Sequence, residues 1–276
     1  MEQNIGIIGY GSMGKMIFSK FSQSKIINQS NLYISNRTFE KIKDINSIYP
    51  NVNICKNNIE LANNVDILFI CVKPFEIKTV LNEIINNIKN NCHIISLNGS
   101  VLFNQLEKIC VNNKISKVIP SVTAEINQSV TLVSHNNLVK NEDKNKLNIL
   151  LGCFGSVIEI PENELGMGSE LTSCMPGFIG SIFKVITEEA EKHTKINKND
   201  IIKMVIKTMY GTGKLLMDKN MSFDELINRV ATKDGITEEG VKIIEKKLPE
   251  TINEMYEKTL EKRKVTMEKA KEDFNK

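Results

Sequence analysis

The chain has 276 residues, enough for one large domain or for two smaller domains with separate cores. Hydrophobic residues make up 41% and charged residues 25%, which excludes a disordered tail, a collagen-like rod and a disulfide-stabilised miniprotein. The net charge is only +3 and the basic residues form no stripe, so we expect no nucleic-acid partner.

Neither a transmembrane segment nor a metal site is expected. No stretch approaches about 18 consecutive apolar residues, and no secretory signal is recognisable, so we expect a cytoplasmic protein with no membrane partner. The six cysteines form no Cys-x-x-Cys pair and no cluster with histidine. Buried free thiols are therefore expected.

Strands and helices alternate through the first part of the chain. Apolar runs predict strands at residues 3–9, 32–36, 52–55, 65–72, 93–97, 115–119, 131–134 and 157–160. Helices are predicted between them at residues 12–23, 38–48, 59–63, 75–88 and 101–110. This alternation predicts an α/β fold, with a parallel, doubly wound sheet of the Rossmann type.

The pattern changes after Pro161, beyond which no convincing strand follows. Amphipathic helices are predicted at residues 167–194 (interrupted by Pro176), 200–217, 223–231, 238–246 and 249–274. We therefore expect two domains, a sheet domain at residues 1–160 and an all-α domain at residues 161–276. An apolar stripe on the last helix predicts a homodimer or a higher homo-oligomer; it comprises Leu248, Ile252, Met255, Thr259 and Ala270.

A glycine-rich turn follows the first predicted strand. Gly9, Gly11 and Gly14 form G-x-G-x-x-G, with Ser12 and Met13 between the last two glycines. The motif is weak alone, but here it directly follows a strand and opens a helix, as the dinucleotide fingerprint requires. It therefore predicts a nicotinamide dinucleotide on these five residues. The alternative is a turn that only packs the helix against the strand.

An arginine follows the second predicted strand in Asn36-Arg37-Thr38, where no acidic residue stands before Glu40. An arginine at this position accommodates the 2′-phosphate of NADP, whereas an acidic residue binds the ribose of NAD. We therefore expect NADPH as cofactor, with NADH as the alternative. The other interpretation of Arg37 is a surface residue paired with Glu40 or Asp44.

Two later strands also end in candidate cofactor contacts. Val72-Lys73-Pro74 follows the strand at 65–72, and Asn98 follows the strand at 93–97. Ligands of open α/β sheets bind at the carboxyl ends of the strands, where these residues stand.

Taken together, these motifs resemble the pyrroline-5-carboxylate reductase family. The resemblance rests on the turn from Gly6 to Gly14, on Asn36-Arg37 and on Val72-Lys73-Pro74, and it continues through the helical part. It implies an oxidoreductase that uses NADPH, or NADH, to reduce the C=N bond of a small cyclic imine. The expected reaction converts 1-pyrroline-5-carboxylate to L-proline. The resemblance also implies that Asn58 contacts the cofactor ribose.

Two stretches of the helical part depart from the family pattern. Residues 172–178, Thr-Ser-Cys-Met-Pro-Gly-Phe, correspond to the family's Ser-Gly-Ser-Gly-Pro-Ala-Tyr. Residues 232–237, Thr-Lys-Asp-Gly-Ile-Thr, correspond to its Ser-Pro-Gly-Gly-Thr-Thr. Both variants resemble relatives encoded with late competence genes. The resemblance implies a set of substrate-binding residues, Thr172, Ser173, Cys174, Gly235, Ile236 and Thr237.

The resemblance also implies a catalytic role for Thr237, whose hydroxyl would hydrogen-bond the substrate nitrogen. The alternative role of this threonine is to cap the helix that begins beside it. The active site is expected between the carboxyl edge of the sheet and the helical domain of a dimer.

Two other functions remain open. A β-hydroxyacid dehydrogenase shares the first turn and the domain layout, and Lys184 would then be its catalytic lysine. A regulatory protein that binds NADP without turnover is the other alternative, because the substrate stretches are altered. Oxidation of NADPH by pyrroline-5-carboxylate would separate both from a reductase.

Overall fold

The computed structural model describes residues 2–275. Within them eight strands form one sheet in the order β3-β2-β1-β4-β5-β6-β7-β8. The strands are β1 Ile5–Ile8, β2 Leu32–Ser35, β3 Asn53–Ile54, β4 Ile67–Ile70, β5 His93–Ser96, β6 Lys114–Ile119, β7 Ser129–His135 and β8 Gly155–Glu159. The chain leaves β1 toward one edge and returns to the other side of β1 with β4, which is the switch point of a doubly wound sheet.

The prediction of a parallel sheet is wrong for one strand pair. Strands β1 to β6 are parallel, but β7 runs antiparallel to β6, and β8 is parallel to β7. Only residues 120–128 connect β6 to β7, and they hold a short 3₁₀ segment, Val122–Ile126. A parallel crossover needs a dozen or more residues, so this connection only allows a reversal.

The helices lie on both faces of the sheet and throughout the second half of the chain. They are α1 Ser12–Gln23, α2 Asn58–Asn64, α3 Ile77–Ile84, α4 Phe103–Leu106, α5 Asn141–Leu151, α6 Leu165–Ser169, α7 Met175–Glu191, α8 Lys198–Lys219, α9 Phe223–Val230 and α10 Ile236–Asn275. A π-helical turn, Glu170–Cys174, joins α6 to α7 immediately before Pro176. The interruption predicted at this proline is therefore present, and it falls on the preceding turn. None of the described helices is long and apolar enough to cross a membrane.

Alternate residues of the central strands enter two separate cores. In β4, Ile67 and Phe69 join one buried cluster, whereas Leu68 and Ile70 join the other. Side chains of a strand point alternately to opposite faces, so the near-continuous apolar sequence of β4 reflects burial on both sides. The expectation of a doubly wound α/β fold is confirmed.

Three local predictions are wrong. The helix predicted at 38–48 is two short 3₁₀ turns, because Asn46 and Ser47 favour turns over helix. Asn58, which the sequence places at the N-cap of the helix at 59–63, is instead the first residue of α2, and the cap is Asn57, whose side chain accepts the amide N–H of Glu60. The two helices predicted at 238–246 and 249–274 form the single helix α10, which continues through Pro249.

Contacts divide the chain into two compact units. One extends through Pro176 and includes the chain from Leu260 onward, and the other is Gly177–Thr259. Ala270 and Phe274 of α10 are buried in the first unit, against the core that contains Leu68 and Ile70. Ala270 therefore does not belong to an unpartnered stripe. The functional division at residue 160 stays a prediction.

Candidate functional site

The glycine-rich turn joins β1 to α1 with close backbone contacts. Gly9 has a φ of +102°, and a Cβ atom there would lie 2.8 Å from the carbonyl oxygen of Cys71. A Cβ on Gly14 would lie 2.0 Å from the carbonyl oxygen of Gly9, so a side chain is excluded at both positions. Gly11 precedes α1, and no side chain caps the first-turn amides. Those amides, which include Ser12 and Met13, are available to an anion.

A cavity of about 610 Å³ opens beside this turn, at the carboxyl ends of β1, β2 and β4. It is large enough for part of a dinucleotide. Eight of the predicted cofactor contacts line it, namely Gly9, Gly11, Asn36, Arg37, Thr38, Asn58, Val72 and Lys73. Ser12, Met13, Gly14, Pro74 and Asn98 are not among its lining residues. Several lining residues were not predicted, among them Tyr10, Lys41, Lys56, Glu76 and Glu83.

Asn36 ties the loop after β2 to the glycine turn. Its carboxamide oxygen accepts the amide N–H of Tyr10 at 2.9 Å, and its amide nitrogen donates to the carbonyl of Thr38 at 2.8 Å. These bonds join the glycine turn to the loop that carries Arg37. The role of Asn36 that is visible in the structure is thus to shape the cavity wall.

Arg37 projects from this loop with its side chain 85% exposed, and it pairs with neither Glu40 nor Asp44. Its Nη1 donates to Oε1 of Glu76 at 2.8 Å, across the cavity wall. The other carboxylate oxygen of Glu76 accepts the amide N–H of Lys73 at 3.1 Å. The predicted surface pairing with a residue of its own segment is therefore wrong. No local pattern in the sequence indicates the contact with Glu76, because the two residues are 39 positions apart.

Asn58 is half-buried and lines the cavity. Its carboxamide oxygen accepts from Ser35 Oγ at 2.8 Å, and its amide nitrogen donates to Glu83 at 2.8 Å. Asn98, at the end of β5, uses its side-chain oxygen to accept the amide N–H groups of Ser100 and Val101. Both asparagines thus hold backbone or neighbouring side chains in place.

The residues expected to bind substrate fall on two different segments. Thr172 and Ser173 lie in the π-helical turn, where their hydroxyls donate to the carbonyls of Gly168 and Ser169. Burial raises the pKa of the Cys174 thiol, which keeps it neutral, as a pocket-lining thiol would be. Next to this turn, Arg263 Nη2 donates to Glu170 Oε1 at 2.6 Å.

Gly235, Ile236 and Thr237 lie at the start of α10. The helix begins at Ile236, so Thr237 is its second residue and the prediction that it caps the helix is wrong. The preceding turn is closed by other groups, because Gly235 N donates to Thr232 O and Asp234 N donates to Glu238 Oε2, both at 2.9 Å. The exposed hydroxyl of Thr237 is therefore not needed for the cap.

Two histidines and Lys184, which could support other chemistry, have their partners outside the cavity. His93 and His135 both contact Ser116 within the sheet, and burial lowers the pKa of His93 to about 4. Lys184, on α7, is exposed and lies 3.8 Å from Glu188, which is typical of a solvated helix surface. Among residues 2–275, no three His, Cys, Asp or Glu side chains are grouped to hold a metal ion.

Comparison with known proteins identifies the family. Pyrroline-5-carboxylate reductase 3 of Bacillus subtilis is 38% identical over 272 residues, which cover 98% of each chain. The chain belongs to the pyrroline-5-carboxylate reductase family. The resemblance inferred from the sequence motifs is thereby confirmed.

Other comparisons agree with this assignment. The family model described as NADP oxidoreductase coenzyme F420-dependent matches residues 4–99, and the one described as pyrroline-5-carboxylate reductase dimerisation matches residues 162–266. The ComE operon protein 4 of B. subtilis is 29% identical over 98% of this chain and 99% of its own. The crystal structure of Plasmodium falciparum pyrroline carboxylate reductase with NADP bound shares the fold, with a TM-score of 0.79 and 22% identity over 99% of this chain and 98% of that one.

Proposed function

We propose that this protein reduces 1-pyrroline-5-carboxylate to L-proline by hydride transfer from NADPH. Family membership carries the proposal, since the alignment with the 38% identical pyrroline-5-carboxylate reductase 3 covers 98% of both chains. The enzyme class is an NAD(P)-dependent oxidoreductase acting on a C=N bond.

The residues beside the cavity fit a nicotinamide dinucleotide. Bare glycines at 9 and 14 bring the turn close to the end of β4, and the open space beside Gly11 lies at the start of α1. First-turn amides and the helix dipole suit a pyrophosphate at that point. Gly9, Gly11, Ser12, Met13 and Gly14 would hold it, and the bound cofactor would supply the hydride. Val72, Lys73, Pro74 and Asn98 follow neighbouring strands and complete the proposed contacts.

Arg37 supports NADPH as the preferred form. Its exposed guanidinium stands on the cavity wall, and a planar fork of donors suits a phosphate monoester better than a ribose hydroxyl. Asn36 and Thr38 frame it, and Asn58 is the proposed neighbour of the ribose. NADH stays the alternative cofactor.

The substrate contacts rest on correspondence with the family. Thr172, Ser173 and Cys174 are proposed to line the imine pocket, with Gly235 and Ile236 contributing backbone amides to the carboxylate. Thr237 is proposed to hydrogen-bond the reacting nitrogen and orient it toward the hydride donor. A general base is not required, because the iminium can enter already protonated from solution.

The matched dimerisation model supports a homo-oligomer, and a dimer is the smallest assembly that satisfies it. Many apolar side chains of residues 177–259 are exposed in the single chain, including Val185, Met204, Tyr210, Phe223 and Ile236. Such a surface is typical of an interface. A cytoplasmic location, like the absence of nucleic-acid and membrane partners, stays a prediction.

Turnover with purified full-length protein tests the function. Loss of NADPH absorbance is followed with 1-pyrroline-5-carboxylate, with other small cyclic imines and with 2-oxo acids. Turnover with the first substrate is the expected result. Binding of NADPH without turnover of any imine would contradict the proposal and favour a regulatory role, the alternative that the altered substrate stretches raise.

A further inference from the structure

The ion pair at the rim of the cavity places a carboxylate where a 2′-phosphate is expected. Glu76 Oε1 lies 2.8 Å from Arg37 Nη1, and both residues line the cavity. The pair is exposed, since the Arg37 and Glu76 side chains are 85% and 35% accessible. Glu76 nevertheless has a defined position, because its second oxygen holds the backbone N–H of Lys73.

We propose that Glu76 sets the cofactor selectivity by offsetting the charge of Arg37, so that the protein distinguishes NADPH from NADH less sharply than Arg37 alone would. This inference rests on the proposed function, in which Arg37 faces the 2′-phosphate.

The physical reason is a difference in charge between the two cofactors. A phosphate monoester carries about −1.5 to −2 charges at neutral pH. A phosphate that pairs with Arg37 comes within a few ångströms of the Glu76 carboxylate, well inside the screening length of about 8 Å. NADH has a neutral hydroxyl instead, which is not repelled and can donate a hydrogen bond to a carboxylate. Glu76 therefore disfavours one cofactor and tolerates the other.

The remaining charges around the cavity do not reproduce this effect. Lys41, Lys56 and Lys73 also line it, as does Glu83, but Glu83 accepts from Asn58. Glu40, which follows Arg37 closely in sequence, pairs with Lys43. Among the described residues, Glu76 is the carboxylate that contacts the Arg37 guanidinium.

The variant Glu76→Gln removes the negative charge of residue 76 but keeps its size and an acceptor oxygen. The amide oxygen of glutamine at position 76 can still accept the backbone N–H of Lys73, so the start of the following helix is preserved. Glu60→Gln is the matched control. Glu60 Oε2 accepts the amide N–H of Lys56 at 2.8 Å in the same kind of local bond, but Glu60 does not line the cavity.

The test is the dissociation constant of NADPH and of NADH for the wild type and both variants, measured by fluorescence titration without substrate. Glu76→Gln is expected to tighten the binding of NADPH by about 1.5-fold to fivefold, the effect of one exposed charge interaction. NADH binding should stay the same or weaken, and Glu60→Gln should preserve the wild-type ratio. The gain with NADPH should shrink in about 0.5 M salt.

Two results would overturn the inference alone. If the wild type binds both cofactors and Glu76→Gln leaves their ratio unchanged, the carboxylate does not affect selectivity. If Glu76→Gln weakens the binding of NADPH, the carboxylate orients Arg37 instead of offsetting its charge. If the wild type binds neither dinucleotide, the proposed function itself fails.

Discussion

The Nζ atom of Lys117 lies 3.1 Å from Oε1 of Glu162, and the lysine side chain is completely buried. The same ammonium donates to the carbonyl oxygen of Gly99, and Glu162 Oε1 also accepts the amide N–H of Phe103 at 2.7 Å. Burial lowers the pKa of Lys117, so its charge depends on these acceptors. This pair connects β6 to the segment that follows β8.

Loss of the carboxylate should therefore cost more stability than loss of the lysine. Glu162→Gln leaves a buried ammonium without its counter-charge, and we expect it to lower the free energy of unfolding by about 3–5 kcal/mol. Lys117→Met replaces the ammonium by an apolar chain of similar length, while Glu162 keeps water and Phe103 as partners. Urea unfolding of both single variants measures the difference. A larger loss for Lys117→Met would show that the ion pair is net stabilising.

Stability should fall below neutral pH because of His93. Its Nε2 lies 2.7 Å from Ser116 Oγ inside the sheet, and burial lowers its pKa to about 4 from an ordinary 6.5. Between these values the unfolded chain binds the proton more readily than the folded one. Stability from this group is therefore full above pH 6.5 and decreases as the pH falls toward 4, by about 2 kcal/mol at pH 5.

The variant His93→Gln isolates this contribution, because glutamine can keep a hydrogen bond to Ser116 but does not titrate. Unfolding free energies at pH 7.5 and pH 5 should differ by about 2 kcal/mol less in the variant than in the wild type. An equal difference in both proteins would assign the acid sensitivity to other groups.

The glycine turn offers a matched pair of substitutions. Gly14→Ala places a Cβ 2.0 Å from the Gly9 carbonyl oxygen, so it should destabilise the fold by about 2 kcal/mol or more and abolish cofactor binding. Gly11→Ala has open space, because no heavy atom of the described residues, other than those of residue 11 and its two chain neighbours, lies within 4 Å of the new Cβ. Its melting temperature should be unchanged while NADPH binding weakens. Unimpaired binding by Gly11→Ala would argue against a pyrophosphate at this turn.

Thr237 is tested by a shape-preserving pair of variants. Losing one hydrogen bond to a developing charge costs about 1.5–3 kcal/mol, or roughly ten- to a hundredfold in rate. Thr237→Val should therefore lower kcat by that factor at unchanged NADPH affinity, and Thr237→Ser should preserve it. Because the helix start is closed by other groups, both variants should melt like the wild type. Full turnover by Thr237→Val would remove the threonine from the mechanism.

The oligomeric state follows from the exposed apolar surface of residues 177–259. At micromolar concentration the full-length protein should sediment as a dimer or a larger assembly, since that surface needs a partner. A monomer in sedimentation equilibrium would contradict this expectation and would leave those side chains in water.

Much of the sheet could be predicted from the sequence because its signals are local. The apolar run that contains β4 and the glycine turn after β1 depend on residues adjacent in the chain, and both elements form where their patterns predict. Arg37 was likewise recognisable from its position after β2. The sequence alone thus determined the fold class and the family, and it predicted eight of the residues that line the cavity beside the glycine turn.

Other features depend on segments that are distant in the chain. Glu76 reaches Arg37 across 39 positions, and Ala270 returns to the core beside the strands. The reversal at β7 follows from a connection too short to cross the sheet. Hydrophobic periodicity shows that a residue will be buried, but it does not say against which neighbour. Only the tertiary structure could decide these contacts, because each requires two chain segments to be packed side by side.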